Sequence, residues 1–256
     1  LRAYRAIQIS GIKGLTEPQK LDMAALEEKE RNGNKIVLSD GYIEYLMEWY
    51  AWETEGMIPV GKESFDNLAM RKGRESEPES IALLSIYDGE LYLTHKERIF
   101  NDYLSGEIDC YLGESIYSAK NITDIKQSED YPTFLKKIHT GLENGQETQL
   151  QIYGDISGAK ELYVANTLVN QSPFIIEEKK WAVARKMGVT TPEGTEFNEE
   201  WVKWERSMNF SHMNPKKRVN KIKIEPFSDF QREKLYDRVK IGREWLHNFH
   251  EQYNQL

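Results

Sequence analysis

The hydrophobic and polar positions along the chain predict several amphipathic helices separated by short strands. Near the start, Ser39 can cap a helix from Gly41 to about Trp52, and apolar or aromatic residues cover most of that helix. Near the end, Ser228 can cap a long helix that reaches about Tyr253. Further helices are predicted at residues 18–32, 63–70, 132–141, 158–170, 173–187 and 198–210.

Strands are predicted where short apolar or alternating runs lie next to turn residues. Asp88 and Gly89 separate the runs 81–87 and 90–94, a pattern typical of a β-hairpin, and a charged loop is predicted before it at 71–80. Other strands are predicted near 107–112, 148–153 and 219–224. We therefore expect an α+β protein, with an N-terminal wing-like domain of helices and a β-hairpin (1–157). A C-terminal stem of long helices (158–256) would follow, with a small mixed α/β, clip-like insertion at about 171–226.

Composition limits the compartment and the class of protein. The single cysteine, Cys110, excludes an intrachain disulfide and favours a reducing compartment. The chain has no apolar run of about 18 residues, so we expect no membrane span. It opens at Leu1 without a methionine, so we expect its native start to be missing.

Charge is distributed unevenly along the chain. The whole sequence has a net charge of −8, whereas residues 211–243 hold ten basic and four acidic residues, so the stretch carries +6 and the remainder −14. Such a stretch can contact the phosphates of double-stranded DNA without reading its sequence, or it can be a solvated loop or an intersubunit surface. The candidate DNA contacts are Lys216, Lys217, Arg218, Lys221, Lys223, Lys234 and Arg238.

Catalytic motifs are weak in this sequence. Asp155 together with residues 177–180 (Glu-Glu-Lys-Lys) resembles the Asp…Glu-x-Lys arrangement of metal-dependent nucleases, in which carboxylates at a strand end hold Mg²⁺ and a lysine steadies the nucleophile. Ser172 and Pro173 predict a helix there, however. Glu107 and Asp109 alternate like a nucleotidyltransferase pair but lack a preceding Gly-Ser loop. We predict no catalytic residue, no metal ion and no cofactor.

Three blocks of the sequence share their order and pattern with one known family. The first comprises YLMEWYAWETEGMIP (45–59), ESFDNLA (63–69) and ALLSIYDGELYL (82–93). The second is ELYVANTLVNQSPFII (161–176), and the third is KIEPFSDFQREKLYDRVKIGREWLHNF (223–249). Together they resemble the portal proteins (upper collar, head–tail connector) of small podophages.

The resemblance implies a non-enzymatic structural subunit of a virion, assembled in the host cytoplasm. It implies a ring of about twelve copies around a channel for double-stranded DNA, which docks to capsid, tail and packaging motor. An apolar stripe on the last helix would contact the neighbouring subunit or pack within its own fold, and it consists of Leu235, Val239, Leu246 and Phe249. Two alternatives stay open: a metal-dependent nuclease that uses Asp155 and residues 177–180, or an intracellular nucleic-acid-binding accessory protein that uses residues 216–223.

Overall fold

The computed structural model describes residues 37–57, 68–128, 130–143 and 145–255, together with the single residues 24 and 28. Most of the predicted helix at 18–32 and of the predicted helix at 63–70 lies outside the described residues. None of the helices in the described ranges is long and apolar enough to cross a lipid bilayer.

The described residues form seven α-helices and seven β-strands. The helices are α1 (Asp40–Glu55), α2 (Leu68–Asp88), α3 (Tyr131–Thr140), α4 (Gln146–Ser157), α5 (Pro173–Met187), α6 (Thr195–Arg206) and α7 (Asp229–Tyr253). The strands are β1 (Leu93–Thr94), β2 (Ile99–Phe100), β3 (Ser105–Gly106), β4 (Cys110–Leu112), β5 (Asn121–Gln127), β6 (Glu161–Thr167) and β7 (Val219–Ile224). Single 3₁₀ turns occur at Ile116–Ser118 and Pro215–Lys217.

Five of the strands form one mixed sheet in the order β1-β4-β5-β6-β7. The central strands β5 and β6 are parallel, and the other neighbours are antiparallel. Helices α3 and α4 make the crossover between β5 and β6, as a parallel pair requires. Strands β2 and β3 form a separate two-stranded ribbon.

Helices cover both faces of the sheet. On one face, the sheet residues Ile122, Leu162 and Val164 share a core with α4 and with Leu235 and Val239 of α7. On the other face, Cys110, Ile125 and Ala165 pack with Leu84 and its neighbours on α2. Because β6 is buried on both faces, its inner residues read as a continuous apolar run.

Several predicted elements are confirmed. Helix α1 begins after Ser39, and α5 begins after Ser172 with Pro173 in its first turn. Ser228 and Gln231 form a capping box at the start of α7. The predicted strand at 219–224 is β7. The α+β class is therefore correct, whereas the predicted domain boundary between residues 157 and 158 stays a prediction.

Other predicted elements are wrong. Residues 81–87 belong to α2, which ends where Gly89 adopts a left-handed conformation (φ 72°), so no hairpin forms there. The charged residues at 71–80 are also helical. Residues 148–153 lie in α4 rather than in a strand, and the predicted helix at 158–170 contains β6. The errors at 81–87, 148–153 and 158–170 involve apolar residues that are buried by tertiary packing, where periodicity cannot separate helix from strand.

Candidate active site

Two carboxylates face each other across the strands β4 and β5. In this antiparallel pair Cys110 is the partner of Thr123. One step further along the same register, Asp109 lies opposite Asp124. Both side chains belong to the face that carries Tyr111 and Ile122 in the main core, because alternate residues of a strand share a face. The apolar face of the sheet therefore ends in a pair of acids.

Hydrogen bonds and an ion pair hold this pair in place. Asp109 Oδ2 accepts a hydrogen bond of 2.7 Å from the backbone N–H of Ile125. Asp124 is only 3% exposed, and its Oδ2 lies 2.8 Å from Nζ of Lys126, which shares its face of β5. Apart from this ion pair, Asp124 Oδ2 makes no hydrogen bond of normal geometry. The sequence Asp124-Ile125-Lys126 thus places an acid and an amine side by side on a central strand.

The electrostatics of the three groups are coupled. Burial raises the pKa of Asp109 well above its ordinary value, and the charge of Asp124 raises it further. Burial alone would lower the pKa of Lys126, but the carboxylates of Asp124 and Asp109 outweigh that effect and raise it. The ammonium group is therefore charged at neutral pH. Two acids this close repel each other unless a proton or a cation lies between them.

A buried tyrosine closes the site on the side of α4. Gln149 donates a hydrogen bond of 2.7 Å from Nε2 to the hydroxyl of Tyr153. Burial raises the pKa of Tyr153, and the nearby charges of Asp124 and Asp109 add to that shift. Gly106, three residues before Asp109, lies against this ring, and a Cβ atom there would be 2.2 Å from Tyr153 Cε1. The strand that leads into Asp109 is therefore packed directly on Tyr153.

The pair Asp109–Asp124 fits a magnesium ion. Mg²⁺ prefers hard oxygen ligands, and proteins often bind it through one or two carboxylates while it keeps several waters. Oδ2 of Asp124 is an oxygen of this kind, since it is buried and has the ion pair with Lys126 but no hydrogen-bond partner. Among the described residues, no group of three or more His, Cys, Asp and Glu side chains is arranged to hold a metal ion. Of the residues that the structure describes, these two acids are therefore the ones that would hold such an ion.

The predicted DNA contacts are spread over different environments. Lys216, Lys217 and Lys223 are exposed, whereas Lys234 is half-buried. Arg218 is buried, donates to the carbonyl of Leu168 and forms an ion pair with Glu79. Lys221 forms an ion pair of 2.5 Å with Asp88, and Arg238 is 4% exposed. The members of the set whose side chains are exposed are thus Lys216, Lys217 and Lys223.

The structure does not bring together the residues proposed for the nuclease alternative. Asp155 lies near the end of α4 and pairs with Arg232 and Tyr236 of α7. Residues 177–180 lie on the helix α5 and not on a strand. Of the Glu107–Asp109 pair, Asp109 belongs to the carboxylate site, whereas Glu107 is exposed and pairs with Arg98. The residues missed were Asp124 and Lys126. Their acid-x-Lys spacing within an alternating run was the available signal.

The residues proposed for a subunit interface lie on α7. Leu235 and Val239 are buried in the main core of the same chain. Leu246 packs with Tyr42 and Leu46 of α1, and Phe249 is in ring contact with Tyr50. The last helix therefore lies along its own sheet and α1.

Comparisons with known proteins identify a shared fold. No family model matches the chain, and no curated protein matches it. A crystal structure of a phage-related exonuclease from Haemophilus somnus 129PT aligns with a TM-score of 0.63 at 15% identity, covering 99% of this chain and 96% of that one. An alkaline exonuclease from Laribacter hongkongensis aligns with a TM-score of 0.58 at 14% identity, covering 100% and 91%. The same exonuclease in complex with dAMP aligns with a TM-score of 0.55 at 14% identity.

These findings overturn the resemblance to portal proteins. The chain shares its fold, over nearly its whole length, with these two exonucleases, and this finding contradicts the predictions of a portal ring subunit and of a non-enzyme. The three sequence blocks gave a wrong resemblance because they consist mainly of aromatic and aliphatic residues, a pattern that buried segments of unrelated folds share. The segment 82–93, predicted as a hairpin, is the end of α2 followed by the edge strand β1.

Proposed function

We propose that this protein is a magnesium-dependent exonuclease that hydrolyses phosphodiester bonds at the ends of DNA. The observation that carries the proposal is the triad of Asp109, which precedes β4, with Asp124 and Lys126 of β5. The fold shared with exonucleases supports the same reaction, although that similarity alone speaks only for the architecture.

Each residue of the triad has a defined task in this proposal. Asp109 and Asp124 would hold a divalent cation, which when bound supplies Lewis-acid polarisation of the phosphoryl oxygens. Lys126 stays charged beside Asp124, so its ammonium group can orient the attacking water and offset charge that develops on the phosphate. The hydrogen bond from Ile125 N–H fixes the Asp109 carboxylate toward Asp124. Asp124 and Lys126 are side chains of β5, and the backbone N–H of Ile125 in the same strand holds Asp109. One strand therefore positions all three residues of the triad.

The exposed lysines of the basic stretch are candidates for contacts with the DNA backbone. Lys216 and Lys217 lie in a 3₁₀ turn directly before β7, and their side chains point to solvent. Such contacts would hold the duplex without reading its sequence and would weaken as salt concentration rises. They would serve binding and not chemistry.

The decisive experiment measures Mg²⁺-dependent degradation of end-labelled linear duplex DNA, with a covalently closed circle as the control for attack at ends. Asp124→Asn and Lys126→Gln should each lower the rate by about 100-fold or more, the size of effect seen when one transition-state contact is removed. The double variant Glu177→Gln/Glu178→Gln is the matched control, because these acids lie outside the triad on α5. Full activity of Asp124→Asn, or its loss only in the control, would refute this assignment.

A further inference from the structure

A cleft lies beyond the carboxyl ends of the parallel strands. Its volume is about 350 Å³, within the range of small-molecule sites. One wall is the start of α3, with Asp130, Tyr131 and Pro132, which follow β5. The other wall is the connection from α6 to β7, and it contributes Arg206, Ser207, Phe210, His212 and Met213. In open α/β sheets this edge is where ligands bind.

Hydrogen bonds to the residues after β6 hold the second wall in place. Asn170 Oδ1 accepts from Phe210 N at 2.7 Å, and Asn170 Nδ2 donates to Ser211 Oγ at 3.0 Å. The backbone N–H of Gln171 donates to the carbonyl of Met208 at 3.1 Å. Beneath them, Phe210 packs with Phe134 and Leu168 in a small core. The cleft is therefore preformed by the fold and tied to the ends of both β5 and β6.

The lining combines an aromatic ring with basic side chains. Tyr131 is 42% exposed at the mouth of the cleft, and Arg206 and His212 are exposed on the opposite wall. The Asp130 carboxylate caps α3 by accepting from Thr133 N at 2.7 Å, so one of its oxygens is already used. An aromatic face next to a guanidinium group suits a nucleotide, because any base can stack on the ring while its phosphate pairs with arginine.

The cleft is within reach of a strand bound at the triad. Lys126 and Tyr131 are five residues apart along the chain, so their Cα atoms are at most about 18 Å apart. That distance corresponds to roughly five nucleotide steps of B-form DNA at about 3.4 Å each. Both features lie at the carboxyl end of β5, on the same edge of the sheet.

We propose that this cleft binds one unpaired nucleotide of the DNA substrate, with its base against Tyr131 and its phosphate near Arg206 and His212. The choice of DNA as the ligand rests on the proposed exonuclease function. The subsite would engage a single-stranded tail at a duplex end and would leave a blunt duplex without this contact.

The test compares two fluorescent duplexes of the same sequence, one blunt and one with an unpaired tail, bound in EDTA so that no cleavage occurs. Tyr131→Leu and Arg206→Gln should each weaken binding of the tailed duplex about tenfold, since stacking one base contributes about 1–3 kcal/mol and about 1.4 kcal/mol is a factor of ten. Binding of the blunt duplex should change less than about twofold.

Tyr131→Phe keeps the ring and should bind like the unsubstituted protein. Tyr117→Leu is the matched control, since Tyr117 is 61% exposed in the turn at the other end of β4 and β5. Thermal unfolding of each variant verifies folding, and Arg206→Gln provides an independent variant if Tyr131→Leu fails to fold.

The outcomes separate this proposal from the function on which it rests. If Asp124→Asn abolishes cleavage but Tyr131→Leu and Arg206→Gln bind the tailed duplex normally, the subsite is refuted and the exonuclease assignment stands. A tail-specific loss in a protein that does not cleave DNA would support the subsite and refute the exonuclease. Equal losses on both duplexes, no preference of the parent protein for the tail, or no DNA binding at all would each overturn the subsite.

Discussion

Gly106→Ala is expected to destabilise the protein through one steric contact beside the carboxylate pair. Gly106 lies in β3, paired with Ile99, and a Cβ atom there would be 2.2 Å from Cε1 and 2.6 Å from Cδ1 of Tyr153. Ordinary contact requires at least 3.4 Å, so the ring must move by roughly 1 Å. The Tyr153 side chain is 6% exposed and its hydroxyl accepts a hydrogen bond from Gln149, so the ring cannot move freely.

The cost has two parts. Overpacking a core typically costs about 1–3 kcal/mol, and loss of the Gln149–Tyr153 hydrogen bond adds about 1 kcal/mol. The total of about 2–4 kcal/mol corresponds to a fall in Tm of roughly 4–16 °C for a chain of this size. Since the charges of Asp109 and Asp124 act on Tyr153, a shift of this ring should also weaken Mg²⁺ binding at the proposed site.

A double-mutant cycle with Tyr153→Leu isolates the contact, with thermal unfolding in the presence of EDTA as the assay. In the Tyr153→Leu background the ring is gone, so Gly106→Ala should cost less than about 1 kcal/mol. An equal cost in both backgrounds would show that the backbone of β3, and not the ring, opposes the methyl group. A negligible cost in the parent protein would refute the steric argument itself.

Three further predictions concern the carboxylate pair, the core and a helix cap. Because burial, and then Asp124, raise the pKa of Asp109, the folded protein holds that proton more tightly than the unfolded chain does. Its stability therefore falls as pH rises from the unfolded pKa through the folded one. In EDTA, Asp109→Asn should thus unfold at a higher temperature than the parent at pH 8, with the difference fading toward pH 4, and a lower Tm at pH 8 would contradict the coupling. Leu162→Ala, at a fully buried position in β6, should cost about 2–5 kcal/mol in urea unfolding. Ser228→Ala removes the capping box of α7 and should cost about 0.5–2 kcal/mol by the same measurement, whereas Ser228→Asp should retain most of the stability.

The sequence was sufficient for helix ends that depend on local contacts. Ser39, Ser172 and Ser228 each accept a hydrogen bond from the backbone N–H of the residue three positions later. A cap of this kind uses residues that are neighbours in the chain, so the pattern of residue types contains the information. The strand β7 could also be predicted from its alternating residues, because it is an edge strand with one face partly exposed.

The secondary structure of the elements at the centre of the sheet could not be predicted from the local sequence pattern. β6 has buried residues on both faces, and α4 is buried around much of its circumference between the sheet and α7. Polar residues are themselves buried in these elements, as Thr148 and Gln151 are in α4, so the polar positions do not mark an exposed face from which a period of 2 or 3.6 could be recognised. The run at 81–87 failed in the same way, since Ile81 and Leu84 face the sheet from α2.

The candidate site depends on the register between β4 and β5, which cannot be predicted from the local sequence pattern. Asp109 and Asp124 are far apart in the chain and meet only because the turn between β4 and β5 sets the pairing of Cys110 with Thr123. That turn is closed by a hydrogen bond of 2.7 Å from Lys120 N to Leu112 O and contains Gly113 at φ 149°. A slip of one residue would turn Asp124 to the opposite face and replace it with Thr123 or Ile125. The chemistry of the pair is therefore fixed by a turn at the far end of the strands.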